Sequence, residues 1–173
     1  MKAREVLLEA AKFTVARLRF DTPEGGEITR DVVEHPGAAV ILPVLDDQRI
    51  ILIRNHRRIL GKTLWELPAG TLEAEEPPVT CAARELEEET GYRAGHISPL
   101  TEFFASPGIL NERMYGFLAT ELTKTQQALD PYEEIEVFPT PGWQVRDMIQ
   151  EGHIEDGKTI ALLLYWMHLH KTD

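Results

Sequence analysis

From position 78 to 90 the chain reads Pro-Val-Thr-Cys-Ala-Ala-Arg-Glu-Leu-Glu-Glu-Glu-Thr. On a helix over this stretch, Glu85, Glu88 and Glu89 fall at i, i+3 and i+4 and project from one face. No lysine is interleaved, and like charges so placed repel by ~0.2–0.5 kcal/mol per pair. A hard divalent cation removes that repulsion, because Mg²⁺ prefers carboxylate oxygens and water in an octahedral shell at about 2.1 Å. A solvated acidic face is the plainer alternative for a glutamate run taken by itself. Pro77 and Pro78 suit a first helical turn, and Gly91 suits the residue just past the end. Val79, Ala82 or Ala83, Leu86 and Thr90 supply the expected buried stripe.

The wider spacing changes the weight of the two readings. Gly70 is followed after five residues by Glu76, and after seven more by Arg84-Glu85-Leu86-x-Glu88-Glu89-x-Gly91. This pattern resembles the signature box of the Nudix hydrolases, a loop–helix–loop whose helix carries metal ligands. The resemblance implies Glu85 and Glu89 as principal ligands, Glu88 as an auxiliary one and the carbonyl of Ala69 as a further one. It makes Arg84 a structural member of the catalytic box, paired with Glu76. The implied cofactor is Mg²⁺, with Mn²⁺ left open. Two positions depart from the pattern: Tyr92 replaces an aliphatic residue, and Glu75 stands where many members have glycine.

Flanking segments resemble one branch of that family, the ADP-ribose pyrophosphatases. Trp65-Glu66-Leu67-Pro68-Ala69-Gly70 matches the lead-in to the box, and Pro107, within Ser106-Pro107-Gly108, matches a proline beyond it. In this branch a loop glutamate ahead of the following strand serves as catalytic base, and Glu133 matches it. Glu134 and Glu136 remain alternatives, because a slip of one residue flips the face of a strand. Arg54-Asn55-His56-Arg57-Arg58 is the densest positive cluster of an acidic chain. Arg57, with Arg54 or Arg58, is shaped to clamp phosphate oxygens, against the alternative of a solvated strand end. Glu112 is a candidate contact to a ribose hydroxyl or a strand-end charge. Trp65, with Phe13 and Arg17, is a candidate for stacking on a base or for ordinary packing.

The implied reaction is hydrolysis of the pyrophosphate bond of a nucleoside diphosphate sugar, foremost ADP-ribose to AMP and ribose 5-phosphate. GDP-mannose or another nucleotide sugar is an alternative substrate, and a non-catalytic nucleotide-sensing module is an alternative function. The resemblance also implies a homodimer with exchanged N-terminal strands.

These residues need a scaffold. The chain has 173 residues, 43% hydrophobic and 27% charged, as expected of one soluble globular domain. Its formal net charge of −11 argues against a nucleic-acid surface. No apolar run is long enough to span a membrane. The single cysteine, Cys81, permits no internal disulfide and points to a reducing, cytoplasmic compartment; its expected role is that of a small buried residue.

Residues 4–11 read weakly as a helical turn or two. Residues 13–20 and 27–34 read as strands about Gly25-Gly26, a hairpin extension spanning 1–36 in contact with a dimer partner. The domain proper, 37–173, reads as strands at 38–45, 49–54, 97–105 and 112–119, then a strand near 135–137 and helices over 145–151 and 158–169. Asp156 is the candidate cap of the last helix, whose stripe is Ile160, Leu163, Leu164 and Met167. The histidines show no metal-binding spacing; His168 and His170 do not face each other on a helix. The expected fold is α/β: a Nudix-type α/β/α sandwich around a mixed β-sheet, with an N-terminal β-hairpin extension.

Overall fold

In the computed structural model, which describes residues 1–169, the chain forms ten strands and three helices. The last four positions of the expected 37–173 domain, His170 among them, lie outside the described residues.

The first three strands, β1 (Ala3–Glu9), β2 (Thr14–Asp21) and β3 (Glu27–Glu34), make an antiparallel sheet in that order. The helical turns expected over 4–11 are therefore corrected to a strand. Val6, Leu7 and Leu8 are consecutive, so they give a helix no apolar stripe, whereas Val6 and Leu8 pair with Ala16 and Val15 of β2 on either side of an irregularity at Leu7. The extension is thus a three-stranded meander. Its attachment to the rest runs through the end of β3: Val33 N–H donates to the Ile109 carbonyl at 2.9 Å, and Asn111 N–H to that of Val33 at 3.1 Å. The Ser-Pro-Gly loop thereby becomes the docking point of the extension.

The remaining elements are β4 (Ala38–Pro43), β5 (Arg49–Arg57), β6 (Lys62–Glu66), β7 (Ala69–Thr71), α1 (Pro78–Thr90), β8 (Tyr92–Phe104), β9 (Arg113–Lys124), β10 (Ile135–Pro141), α2 (Gly142–Gln150) and α3 (Gly157–Leu169). One sheet runs β7-β4-β9-β8, with β4 and β9 parallel and the other pairs antiparallel. A second, antiparallel sheet runs β10-β5-β6.

β4 explains how the layers stack. Every residue of Ala-Ala-Val-Ile-Leu-Pro is buried, and alternation sends them to two cores. Ala39 and Ile41 meet Cys81, Ala82 and Leu86 of α1. Val40 and Leu42 meet Leu52 of β5, Val145 and Met148 of α2, and Leu162 and Leu163 of α3. The result is an α/β/α sandwich about a mixed sheet, with α1 on one side and the other helices opposite. Two stripe expectations are corrected. Val79 is 45% exposed and Leu164 50%; Cys81 and Leu162 take the inward positions, because each helix is rotated so that these residues pack on β4. Asp156 does cap α3, its carboxylate accepting from Thr159 N–H at 3.0 Å. Among the described residues, no helix is long and apolar enough to cross a membrane.

Candidate active site

A cleft of about 830 Å³ opens where β5, β7, the end of β8, α1 and the start of α3 converge. α1 presents its acids along one wall. Its start is set by Pro78 and its end by Gly91, which takes the left-handed conformation (φ 65°) and donates its N–H to the Glu87 carbonyl. Gly70 faces α1 at the other side of the loop. A Cβ there would sit 1.9 Å from Glu85 Cδ, so only glycine lets the Glu85 carboxylate lie against the backbone. The loop between them turns at Glu75 (φ 61°), the position where the sequence departs from glycine.

Arg84 gathers Glu76, Glu85 and Glu88 around one guanidinium. Its guanidinium forms a two-point pair with Glu76, both bonds 3.0 Å, and also reaches Glu85 at 2.7 Å and Glu88 at 3.1 Å. Those partners hold its pKa above the ordinary arginine value, and it in turn holds the Glu76 carboxyl below the ordinary carboxylate value. Glu85 is raised by burial against the opposing pull of Arg84. Glu89 is buried on the sheet side of α1, and desolvation pushes it up to about 8 while Ala69 N–H donates to it at 2.9 Å. Cys81, beneath the same helix, is pushed up to about 12 by burial. Its thiol reaches the Gly70 carbonyl at 3.5 Å, so it is a packing residue.

Among the described residues, no three of these side chains converge as a finished ligand set, since Glu85 and Glu88 turn onto Arg84. The donor chemistry nevertheless fits a hard divalent cation: all-oxygen donors, an excess of negative charge, and one buried carboxylate with no cation in contact. Glu85, Glu88, Glu89 and the Ala69 carbonyl are the residues that could hold it.

The opposite wall is cationic. Arg57 leaves β5 into the cleft and forms a two-point pair with Glu66, 2.7 and 2.5 Å, and Glu66 is 1% exposed. Lys158, at the start of α3, donates to the same carboxylate at 2.7 Å and to Asp156 at 2.9 Å. One buried acid thus holds two cations at the cleft, and Arg57 rises above its ordinary value through that bond. The sequence marks Glu66 only as part of the lead-in to the box and does not mark Lys158; 92 positions separate them, and nothing local announces the pairing.

Glu133 and Glu112 also line the cleft. The Glu133 carboxylate accepts from Asp130 N–H at 3.0 Å, and its charge raises both Glu85 and Glu89. Glu134 pairs instead with Arg58 at 2.9 Å and Glu136 approaches Arg54 at 4.0 Å, all four outside the cleft lining. Trp65 stands outside it too. It packs edge-on against Phe138, centroids 4.9 Å apart, with the Arg54 guanidinium 5.7 Å from its ring. Strand alternation accounts for the split: Arg57 and Asn55 share one face of β5, and Arg54 takes the other with Trp65 as its cross-strand neighbour. Glu112 stands 3.6 Å from His35.

Comparison with known proteins adds what geometry alone does not. The NUDIX domain family model matches residues 34–163. The chain is 37% identical over 147 residues to an ADP-ribose pyrophosphatase of Bacillus subtilis (strain 168), covering 84% of this chain and 80% of that one. It is 34% identical over 185 residues to a GDP-mannose pyrophosphatase of Escherichia coli O1:K1 / APEC, covering 98% and 96%. A crystal structure titled as an ADP compounds hydrolase superposes with a TM-score of 0.82 at 20% identity, covering 96% of this chain and 92% of that one, which speaks for the fold. With its box glutamates on a helix against Gly70 and a family model spanning most of its length, the chain belongs to the Nudix family of hydrolases.

Proposed function

We propose that the protein hydrolyses the pyrophosphate bond of a nucleoside diphosphate sugar, converting ADP-ribose to AMP and ribose 5-phosphate. The supporting observation is a single cleft with the box acids and Glu133 on one side and Arg57, fixed by Glu66, on the other. A divalent cation, Mg²⁺ or Mn²⁺, held by Glu85, Glu89, the Ala69 carbonyl and the auxiliary Glu88 would neutralise the diphosphate and acidify a water. Arg57 binds the phosphoryl oxygens and stabilises charge that grows on them. Glu133 accepts the proton of the attacking water, and Glu112 contacts a ribose hydroxyl. Arg84 keeps the box loop against α1 through Glu76. Arg54, Arg58 and Trp65 contribute from the neighbouring surface, by field and by supporting β5.

The second substrate reading is GDP-mannose, which the near full-length match to the Escherichia coli relative favours. A non-catalytic sensing role is disfavoured by the intact set of box glutamates. We also read the protein as a homodimer, assembled through its N-terminal sheet, and place it in the cytoplasm, where its lone buried thiol stays reduced.

The test is a substrate panel with Mg²⁺: ADP-ribose, GDP-mannose, UDP-glucose and a dinucleoside polyphosphate, against wild type, Glu85→Gln and Glu133→Gln. ADP-ribose is expected to be preferred, with turnover falling at least a hundredfold in both variants, in line with loss of a metal ligand or general base. Preference for another nucleotide sugar keeps the mechanism and replaces the substrate. Binding without turnover of any compound would overturn the hydrolase reading.

A further inference from the structure

Asn55 stands two residues before Arg57 on β5, so both side chains leave the strand on the same face, and both line the cleft. Asn55 is only 7% exposed. Among the described residues its carboxamide has no hydrogen-bond, ionic or ring partner, and neither of its polar atoms is among the fully buried ones left unsatisfied, so the amide still meets the open cleft. The residues facing it across the flanking strands are Ile135 of β10 and Leu64 of β6, neither with a polar side chain to offer.

An amide that meets the cleft and bonds to nothing in the protein keeps its donors free for a ligand. Its surroundings say what it would meet. Arg57 is the adjoining cation on the same face, and Glu133 lies two residues before Ile135, the β10 residue opposite Asn55. A carboxylate at position 55 would repel an anionic ligand, whereas an amide offers two N–H donors and no charge. Donated to a charged acceptor, those bonds are of the strong kind.

We propose that Asn55 is a substrate-contacting residue whose side-chain amide donates to a phosphoryl oxygen of the bound diphosphate, beside Arg57. This rests on the diphosphate-hydrolase reading above. It assigns a role to a side chain whose donors the free protein's own contacts do not use.

The test has two readouts, turnover and stability, which a ligand contact and a structural role move differently. Asn55→Leu keeps the branched heavy-atom pattern and removes the donor; Asn55→Ser keeps a smaller donor. For Asn55→Leu the melting temperature should be unchanged, while kcat/KM for the preferred nucleotide sugar falls about 10- to 100-fold, the size of one charge-assisted hydrogen bond. Asn55→Ser should retain more turnover than Asn55→Leu. With Glu133→Gln as the common background, calorimetry should show ADP-ribose binding about tenfold weaker when Asn55→Leu is added. Turnover within twofold of wild type, or turnover and melting temperature falling together, would overturn the proposal and leave Asn55 a structural residue. Should wild type hydrolyse no nucleoside diphosphate, the parent reading fails by itself. Inorganic pyrophosphate with Mg²⁺ then decides on Asn55: binding tenfold weaker in Asn55→Leu supports the contact, and equal or absent binding overturns it.

Discussion

Glu89 is a buried acid with no cation in contact, and its burial gives a pH signature. Folded, it titrates at about 8; in the unfolded chain it returns to the ordinary value of 4.5. Between those values the folded chain keeps a proton that the unfolded chain has released. The stability contribution of this site therefore falls as pH rises from about 4.5 to about 8, and levels off above. Glu89→Gln has no such proton to lose, and its amide oxygen still accepts from Ala69 N–H. In EDTA, the two proteins should melt alike near pH 5, and wild type should melt several degrees below Glu89→Gln at pH 9. Added Mg²⁺ should lift wild type at pH 9 and leave Glu89→Gln where it was. Parallel melting curves across the range, read by scanning calorimetry, would show that Glu89 is not the uncompensated acid described here.

At the scale of elements, the end of α1 is tied to the loop that carries Glu133. Thr125 N–H donates to the Gly91 carbonyl at 2.7 Å and Ala128 N–H to that of Glu88 at 2.9 Å, while the Gln127 amide bridges the carbonyls of Glu89 and Ile135. A Cβ on Gly91 would meet Gln127 N at 2.9 Å, in a backbone conformation that costs other residues ~1–2 kcal/mol. Gly91→Ala should lose about that much stability in urea unfolding and also lower kcat at temperatures where it is fully folded, because the loop must shift. A stability loss with unchanged kcat would separate the loop's position from the helix end. The caps of this helix were legible because Pro at its start and Gly at its end act locally. Its buried face was less so: the stripe through Val79 and the one through Cys81 differ by a rotation that only the sheet below decides. Asn55 was legible in principle, since alternation places it with Arg57, but a neutral residue inside a basic cluster draws no attention. The Glu66–Lys158 pairing joins β6 to α3, and no sequence spacing announces it. Residues 4–11 misled because three consecutive apolar residues suit an exposed strand as well as a turn of helix.

At the scale of the whole molecule, the N-terminal sheet is the part the rest leaves uncovered. All seven residues of β1 are exposed, and Val6, Leu7, Leu8, Phe13 and Ile28 together present apolar surface on a sheet whose one fully buried side chain is Ala16. A three-stranded sheet with so small a core of its own is marginal in water, and β1 is an edge strand with unpaired backbone groups. The ion pairs across it, Arg4 with Glu34 and Arg17 with Asp31, are exposed and contribute little to stability. What would secure this sheet is a second copy of the chain covering it. Light scattering should therefore return twice the 19.6 kDa of one chain, and the melting temperature should rise with protein concentration, as association with the folded state requires. Val6→Lys together with Leu8→Lys, placed on the uncovered strand away from the cleft, should yield a monomer with a lower, concentration-independent melting temperature. A monomeric mass for wild type would mean that the meander stands on its β3 attachment alone, and then the double lysine variant should melt as wild type does.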